Sequence, residues 1–255
     1  MIKLSSINGA KIFAKDGDVG RIKDIYFDDR DWAVRYFVAD TGGWLTGRRV
    51  LLSPLGLDRM ANGRLTATLT RRQIEESPSI AEHEPISREY ERRYYAYFNW
   101  PYYWTGQLST VGAQHPEIDS SAAAGATGVS IGDVEPGEPH LRSAGEVRGY
   151  HFHATDGSIG HVEDFLLDET DWIIRYLVVD TKNWWPGKIV LLSPHWISQV
   201  DWSRAAVDVR LTRDAIKTAP AYDQTASWSR KYEERLFEHY DREPYWAEHA
   251  RERTS

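Results

Sequence analysis

Apolar and polar positions alternate most clearly between Trp32 and Asp40. Trp32, Val34, Tyr36 and Val38 fall on one side, and Ala33, Arg35, Phe37 and Ala39 on the other. A period of two predicts a strand, and apolar residues on both sides predict cover over both faces. Shorter runs flank it. Ala10–Ala14 and Val19–Phe27 read as strands joined by a tight turn at Asp16-Gly17, where glycine takes positive φ at no steric cost. Asp28-Asp29-Arg30-Asp31 reads as a polar turn. After the Gly42-Gly43-Trp44 loop come a short strand at Arg49–Leu52, stopped by Ser53-Pro54, and another at Arg64–Leu69. The period then changes. Thr70 and Gln73 have the spacing of a capping box, and Pro78 ends that helix. Ser87 caps a second helix, Arg88–Phe98, with Tyr90, Tyr94, Tyr97 and Phe98 on one stripe.

The pattern occurs twice. Asp16–Pro54 returns at Asp156–Pro194 without a gap, with Arg175 in place of Arg35. Roughly half the aligned positions are identical, the mark of an internal repeat. The helical tail returns too, through Leu211-Thr212, Ser229–Tyr240 and Pro244-Tyr245-Trp246. Between the copies, Thr105–His140 is rich in Gly, Ser, Ala and Pro and lacks Lys and Arg, so it reads as a flexible acidic linker. The expected organisation is a first unit over 1–104, a linker over 105–140 and a second unit over 141–255. Short strands joined by tight turns predict a mainly β protein: two small antiparallel β-barrels, each followed by short α-helices.

Composition narrows the function classes. The 255 residues include no cysteine, which removes disulfides, thiolate nucleophiles and Cys-ligated metal centres. Residues 1–104 hold 16 Lys and Arg against 14 Asp and Glu, and the remainder hold 15 against 24. An acidic total argues against nucleic acid as a partner. No run of about 18 apolar residues predicts a membrane span, and the start of the chain has no apolar run of signal-peptide length. A cytoplasmic location is expected. No nucleophile-elbow, phosphate-loop, dinucleotide or zinc-protease motif occurs, so no catalytic residue and no cofactor are expected.

Five groups of side chains are candidates for chemistry or binding. His151 and His153 share one strand face with His161 across the Asp156-Gly157 turn, a possible metal set, although the first copy has Lys11, Phe13 and Arg21 there. Asp28-Asp29-Asp31 and Asp168-Glu169-Asp171 could offer oxygens to calcium but suit polar turns better. Asp24 and Arg35, with Asp164 and Arg175, are charges within apolar strands, costly unless paired, and a structural ion pair is expected. Trp44, Trp184 and Trp185 in glycine-bearing loops are candidate protein-binding anchors, with Trp104 and Trp246 in the tails. The tail aromatics could also sit at a membrane interface, but Glu89, Glu91, Glu233 and Glu234 oppose attraction to anionic lipid.

The repeated residues resemble the PRC-barrel family, which includes the cytoplasmic domain of the photosynthetic reaction-centre H subunit and the barrel of the ribosome maturation factor. The second copy carries the likeness in Leu141-Arg142-Ser143-Ala144, Gly149, Asp156-Gly157, Ile159-Gly160, Val162-Glu163-Asp164, Trp172–Tyr176, Val178–Asp180 and Val190–Leu192. The first carries it in Gly9, Asp16-Gly17, Val19-Gly20, Ile22–Asp24, Val34–Tyr36 and Val50–Leu52. The resemblance implies a small barrel that binds proteins and has no catalytic residues. The expected function is a non-catalytic adaptor or assembly module whose partner is a protein, with homodimerisation or pairing of the two barrels within one chain as possibilities. Two alternatives are a peripheral subunit of a photosynthetic or membrane complex and a metal-binding protein or enzyme using His151, His153 and His161.

Overall fold

A computed structural model describes residues 1–45, 48–58, 60–61, 63–81, 85–105, 140–181 and 187–247. The fold is mainly β, with two seven-stranded sheets and short helices. The first copy supplies β1 (Ile2–Lys3), α1 (Leu4–Ile7), β2 (Lys11–Ala14), β3 (Gly17–Asp28), β4 (Val34–Asp40), β5 (Arg48–Leu52), β6 (Arg64–Thr66), α2 (Arg71–Glu76), β7 (Ile80–Ala81) and α3 (Arg88–Tyr97). The second supplies β8 (Leu141–Ser143), α4 (Ala144–Val147), β9 (His151–Ala154), β10 (Gly157–Asp168), β11 (Ile173–Asp180), β12 (Ile189–Leu192), β13 (Ile197–Asp201), β14 (Ala206–Val209), α5 (Arg213–Thr218) and α6 (Arg230–His239).

One sheet runs β6-β2-β3-β4-β5-β7, with β8 also on β3; the other runs β12-β11-β10-β9-β14-β13, with β1 also on β10. The sequence pattern suggests purely antiparallel sheets. Each instead has one parallel pair, β2 with β6 and β9 with β14. In the second sheet β14 is the return strand of an antiparallel hairpin with β13, and it runs back alongside β9 in the same direction.

The strand pattern predicts Trp32 as the first residue of a strand, and here the structure differs. Trp32 and Trp172 both have left-handed backbones, with φ 60° and 59°. A bulky residue there is strained. The strain is held by the turn, in which Asp28 N–H donates to Ala33 C=O and Trp32 N–H to Asp28 C=O. Trp32 then stacks on Phe27 at 5.0 Å.

Two compact units emerge, and neither is a contiguous copy. One contains 7–143 and 169–173; the other contains 1–6, 144–168 and 174–255. Each draws its short first strand from the start of the other copy. Ile2 pairs with Leu167 and Lys3 with Leu166. Leu141, Arg142 and Ser143 pair with Asp28, Phe27 and Tyr26. The long strand β3 makes this possible. Its first half pairs with β2 and its last three residues pair with β8 along the same edge, while β4 covers the opposite edge. The bend between the halves lies at bulges, and Gly20 lets the backbone of Asp40 approach so closely that a Cβ would lie 2.0 Å from its carbonyl oxygen.

The helical tails behave as their caps suggest. Thr70 and Gln73 form the full capping box before α2, and the Ser87 side chain accepts from Tyr90 N–H at the start of α3. The buried face of α3 differs from the predicted stripe: Tyr97 is exposed, and Tyr95 turns inward beside Tyr90 and Tyr94. Tyr90, Tyr94 and Tyr95 are buried with Tyr36, Val38, Leu51, Ile80 and Tyr103. Tyr94 also donates to Leu51 C=O, so the helix docks by hydrogen bond as well as apolar burial. Among the described residues, no helix is long and apolar enough to cross a membrane.

Candidate functional site

A polar node appears once in each unit, at corresponding positions. Glu91 on α3 is 2% exposed, and it accepts from Tyr36 Oη at 3.2 Å and from Tyr103 Oη at 2.8 Å. Arg88, one turn earlier, pairs with it at 2.8 Å. Glu233 on α6 is fully buried and accepts from Tyr176 Oη at 2.6 Å and Tyr245 Oη at 3.0 Å, with Arg230 as its ion partner. A guanidinium lies over each tail tyrosine: Arg35 sits 3.8 Å from the Tyr103 ring centre and Arg175 4.3 Å from that of Tyr245. Burial pushes the Glu91 carboxyl up to about 7 against the pull of Arg88 and the two tyrosines. Glu233 is also raised, for the same reason. The node fastens each tail to its sheet, and Arg88 also donates to Tyr103 Oη at 2.9 Å.

The sequence pattern misses this node because it takes the glutamates of the tail helices only as charges that oppose anionic lipid. The signal that identifies them is the spacing. Arg88 and Arg230 precede the glutamates by three residues, and Tyr103-Trp104 and Tyr245-Trp246 follow by twelve. Glu89 and Glu234, on the other side of the helices, are exposed.

The expected ion pairs take another form. Arg35 is the unpaired residue of a bulge between the Tyr26–Tyr36 and Phe27–Val34 pairs, and its ion partner is Asp31. Asp24 stands further along, opposite Val38, and accepts from Ser143 Oγ at 2.6 Å and from Ile25 N–H. Arg175 lies 3.8 Å from Asp168. Asp164 accepts from the hydroxyl and backbone N–H of Ser5 and from Phe165 N–H. Asp24 and Asp164 therefore hold the segments that enter from the other copy, and the arginines brace the turns and tails.

The acidic turns serve local structure. Asp28 and Asp31 accept from backbone N–H groups of their own turn, and Asp29 pairs with Arg142 at 2.9 Å and with His140. Asp171 accepts from Ile173 N–H. Among the described residues, no group of three or more His, Asp or Glu side chains could hold a metal ion. His161 is paired with His151 across the β9–β10 ladder, whereas His153 lies opposite Ser158 and 3.9 Å from Asp208.

The tryptophans divide. Trp104 is half-buried, stacked on Tyr102 and covered by Arg88. Trp246 is half-buried between Phe237 and Arg230. Trp44 is half-buried with Arg71 4.2 Å above its ring. Trp184 and Trp185 lie outside the described residues. In the unit built on the first copy, a cleft of about 520 Å³ is lined by Lys15, Leu55, Thr68, Leu69, Gln73, Tyr97, Phe98 and Trp100. Tyr97, at 40% exposure, is the exposed large hydrophobic side chain among the described residues.

A small β-sheet scaffold whose repeated polar residues hold its own strands and tails is the class that these features define. Residues 1–68 match the family model of the PRC-barrel domain. The matched stretch covers the first copy up to the strand before α2, and its first six residues are those that complete the other unit. No curated protein matches the chain.

Proposed function

We propose that this chain is a non-catalytic protein-binding module, and that it grips its partner at the cleft beside Tyr97, with the Trp44–Arg71 pair on the far side of α2. The PRC-barrel domain supports an interaction or assembly role. The observation that carries the choice of surface is a difference between the copies. In the second copy, Trp196 stands where the first has Gly56, and it is buried against Phe237 and Tyr240. In the first copy, Trp100 from the tail lies over Gly56, so close that a Cβ there would be 2.8 Å from its ring. The second copy has Arg242 at the position of Trp100. One indole thus serves each site but is supplied by a different part of the chain, and the first arrangement lies beside a cleft with Tyr97 exposed among its lining residues. An exposed aromatic over an apolar floor is what a binding hot spot needs. Lys15 at the rim favours a partner that places an acidic residue next to an apolar side chain.

The test uses the full chain as bait in its native lysate, beside Tyr97→Ala and Lys15→Glu. Both substitutions alter exposed side chains and leave the core intact. Recovery of a partner by the wild type and its loss with either variant supports the reading. No partner, or recovery indifferent to both variants, removes it.

A further inference from the structure

We propose that His151 and His161 form a two-imidazole chelate for a late first-row divalent cation such as Zn²⁺, on the outer face of the β9–β10 hairpin. The register makes the two residues direct cross-strand partners. The hydrogen bonds show which kind of partner. Val162 N–H donates to Tyr150 C=O, one residue beyond the pair, and His151 N–H points the other way, to Ala205 C=O. His151 and His161 are therefore a non-hydrogen-bonded pair of an antiparallel ladder, the narrow kind, with Cα atoms only about 4.5 Å apart. Side chains of such a pair leave the sheet side by side on the same face. Two imidazoles at that spacing can each present a ring nitrogen to one ion.

The neighbours leave the pair accessible. His151 is exposed and His161 half-exposed. On its other side His151 is paired with Ala206 in the parallel ladder to β14. His153, the third histidine of the strand face, is drawn to Asp208 on β14 instead. The site thus has two protein ligands, with the remaining positions of the ion left to water. Imidazole nitrogen suits zinc, nickel and copper, and the cysteine-free chain offers no thiolate to compete. The first copy has Lys11 opposite Arg21 at the same register, so the chelate belongs to the second copy alone.

The experiment is calorimetric titration of the full chain with ZnCl₂ at pH 7.5, beside His151→Gln, His161→Gln and His195→Gln. His195 is an exposed histidine on a different element and serves as the control. One ion is expected to bind the wild type. Loss of one arm of a chelate should weaken binding at least tenfold in His151→Gln and in His161→Gln, while His195→Gln binds as the wild type does. In the NMR spectrum of the wild type the ring signals of His151 and His161 should move together as zinc is added, and retained amide dispersion in each variant shows that it remains folded. A wild type that binds no zinc, a His161→Gln variant that binds as tightly as the wild type, or an equal loss in His195→Gln would each overturn the site.

Discussion

Glu91 and Glu233 show how one residue type at one spacing can hold an element in place. Each is a carboxylate taken out of water, and each is given two phenol donors and one guanidinium. The arrangement has a pH signature. A carboxyl whose folded-state pKa lies above its unfolded value binds protons more tightly in the native state. Its contribution to stability is complete below the unfolded value, 4.5, and is lost as the pH rises through the folded value of about 7. For Glu91 that contribution is roughly 3 kcal/mol across the interval. Glu91→Gln has no charge to lose, so its unfolding free energy should change less between pH 5 and pH 8 than that of the wild type. Urea denaturation of both proteins at several pH values checks this, and equal slopes would remove the proton linkage. Gly20 and Gly160 make a second, steric case. A Cβ at either would meet the carbonyl oxygen of Asp40 or Asp180 at 2.0 or 1.9 Å. Backbone cannot yield as a side-chain tip can, so Gly20→Ala and Gly160→Ala should each lower stability by at least about 2 kcal/mol in a denaturant melt.

At the scale of elements, the short strand β1 is decisive. It has two residues, too few to be stable alone, and it is fixed by the ladder to Leu166 and Leu167 and by the grip of Asp164 on Ser5. Its counterpart β8 is held by Asp24 through Ser143. Two consequences can be measured. Asp164→Asn loses a charge-assisted acceptor and should lower stability by about 1–3 kcal/mol. Deleting residues 1–6 should raise hydrogen exchange at Phe165–Asp168 on β10 while leaving Tyr26–Asp28 on β3 protected. The opposite pattern, with β3 exposed, would mean that β1 belongs to its own copy.

At the scale of the whole molecule, the compact units and the sequence copies are different divisions of the chain. A fragment cut at the copy boundary, residues 141–255, lacks the strand that completes its sheet and keeps one that belongs elsewhere. A synthetic peptide of residues 1–8 should raise the melting temperature of that fragment, and the same peptide carrying Ser5→Ala should raise it less. No response to either peptide would show that the fragment closes its sheet without β1. The PRC-barrel match over residues 1–68 follows the copy, not the compact unit, because a family model reads contiguous sequence.

Much of this was legible from the residues in order. The alternation at β4, the Asp-Gly turns, the capping box at Thr70 and the repeat are local signals, because strands, turns and caps are set by neighbours within a few positions. They fixed the mainly β class and the helical tails. Other features depend on residues far apart in the chain, and only the tertiary structure decided them. Alternation says that Asp24 and Arg35 are charges in apolar strands, but the bulges that shift the register separate them and give one to Ser143 and the other to Asp31. Helical periodicity places Glu91 on a helix, but the fold of the tail puts Tyr103 over it. The repeat announces two copies, but not that each sheet takes its first strand from the other, since a two-residue strand carries no pattern and the hydrogen bonds that seat it are made between residues more than a hundred positions apart.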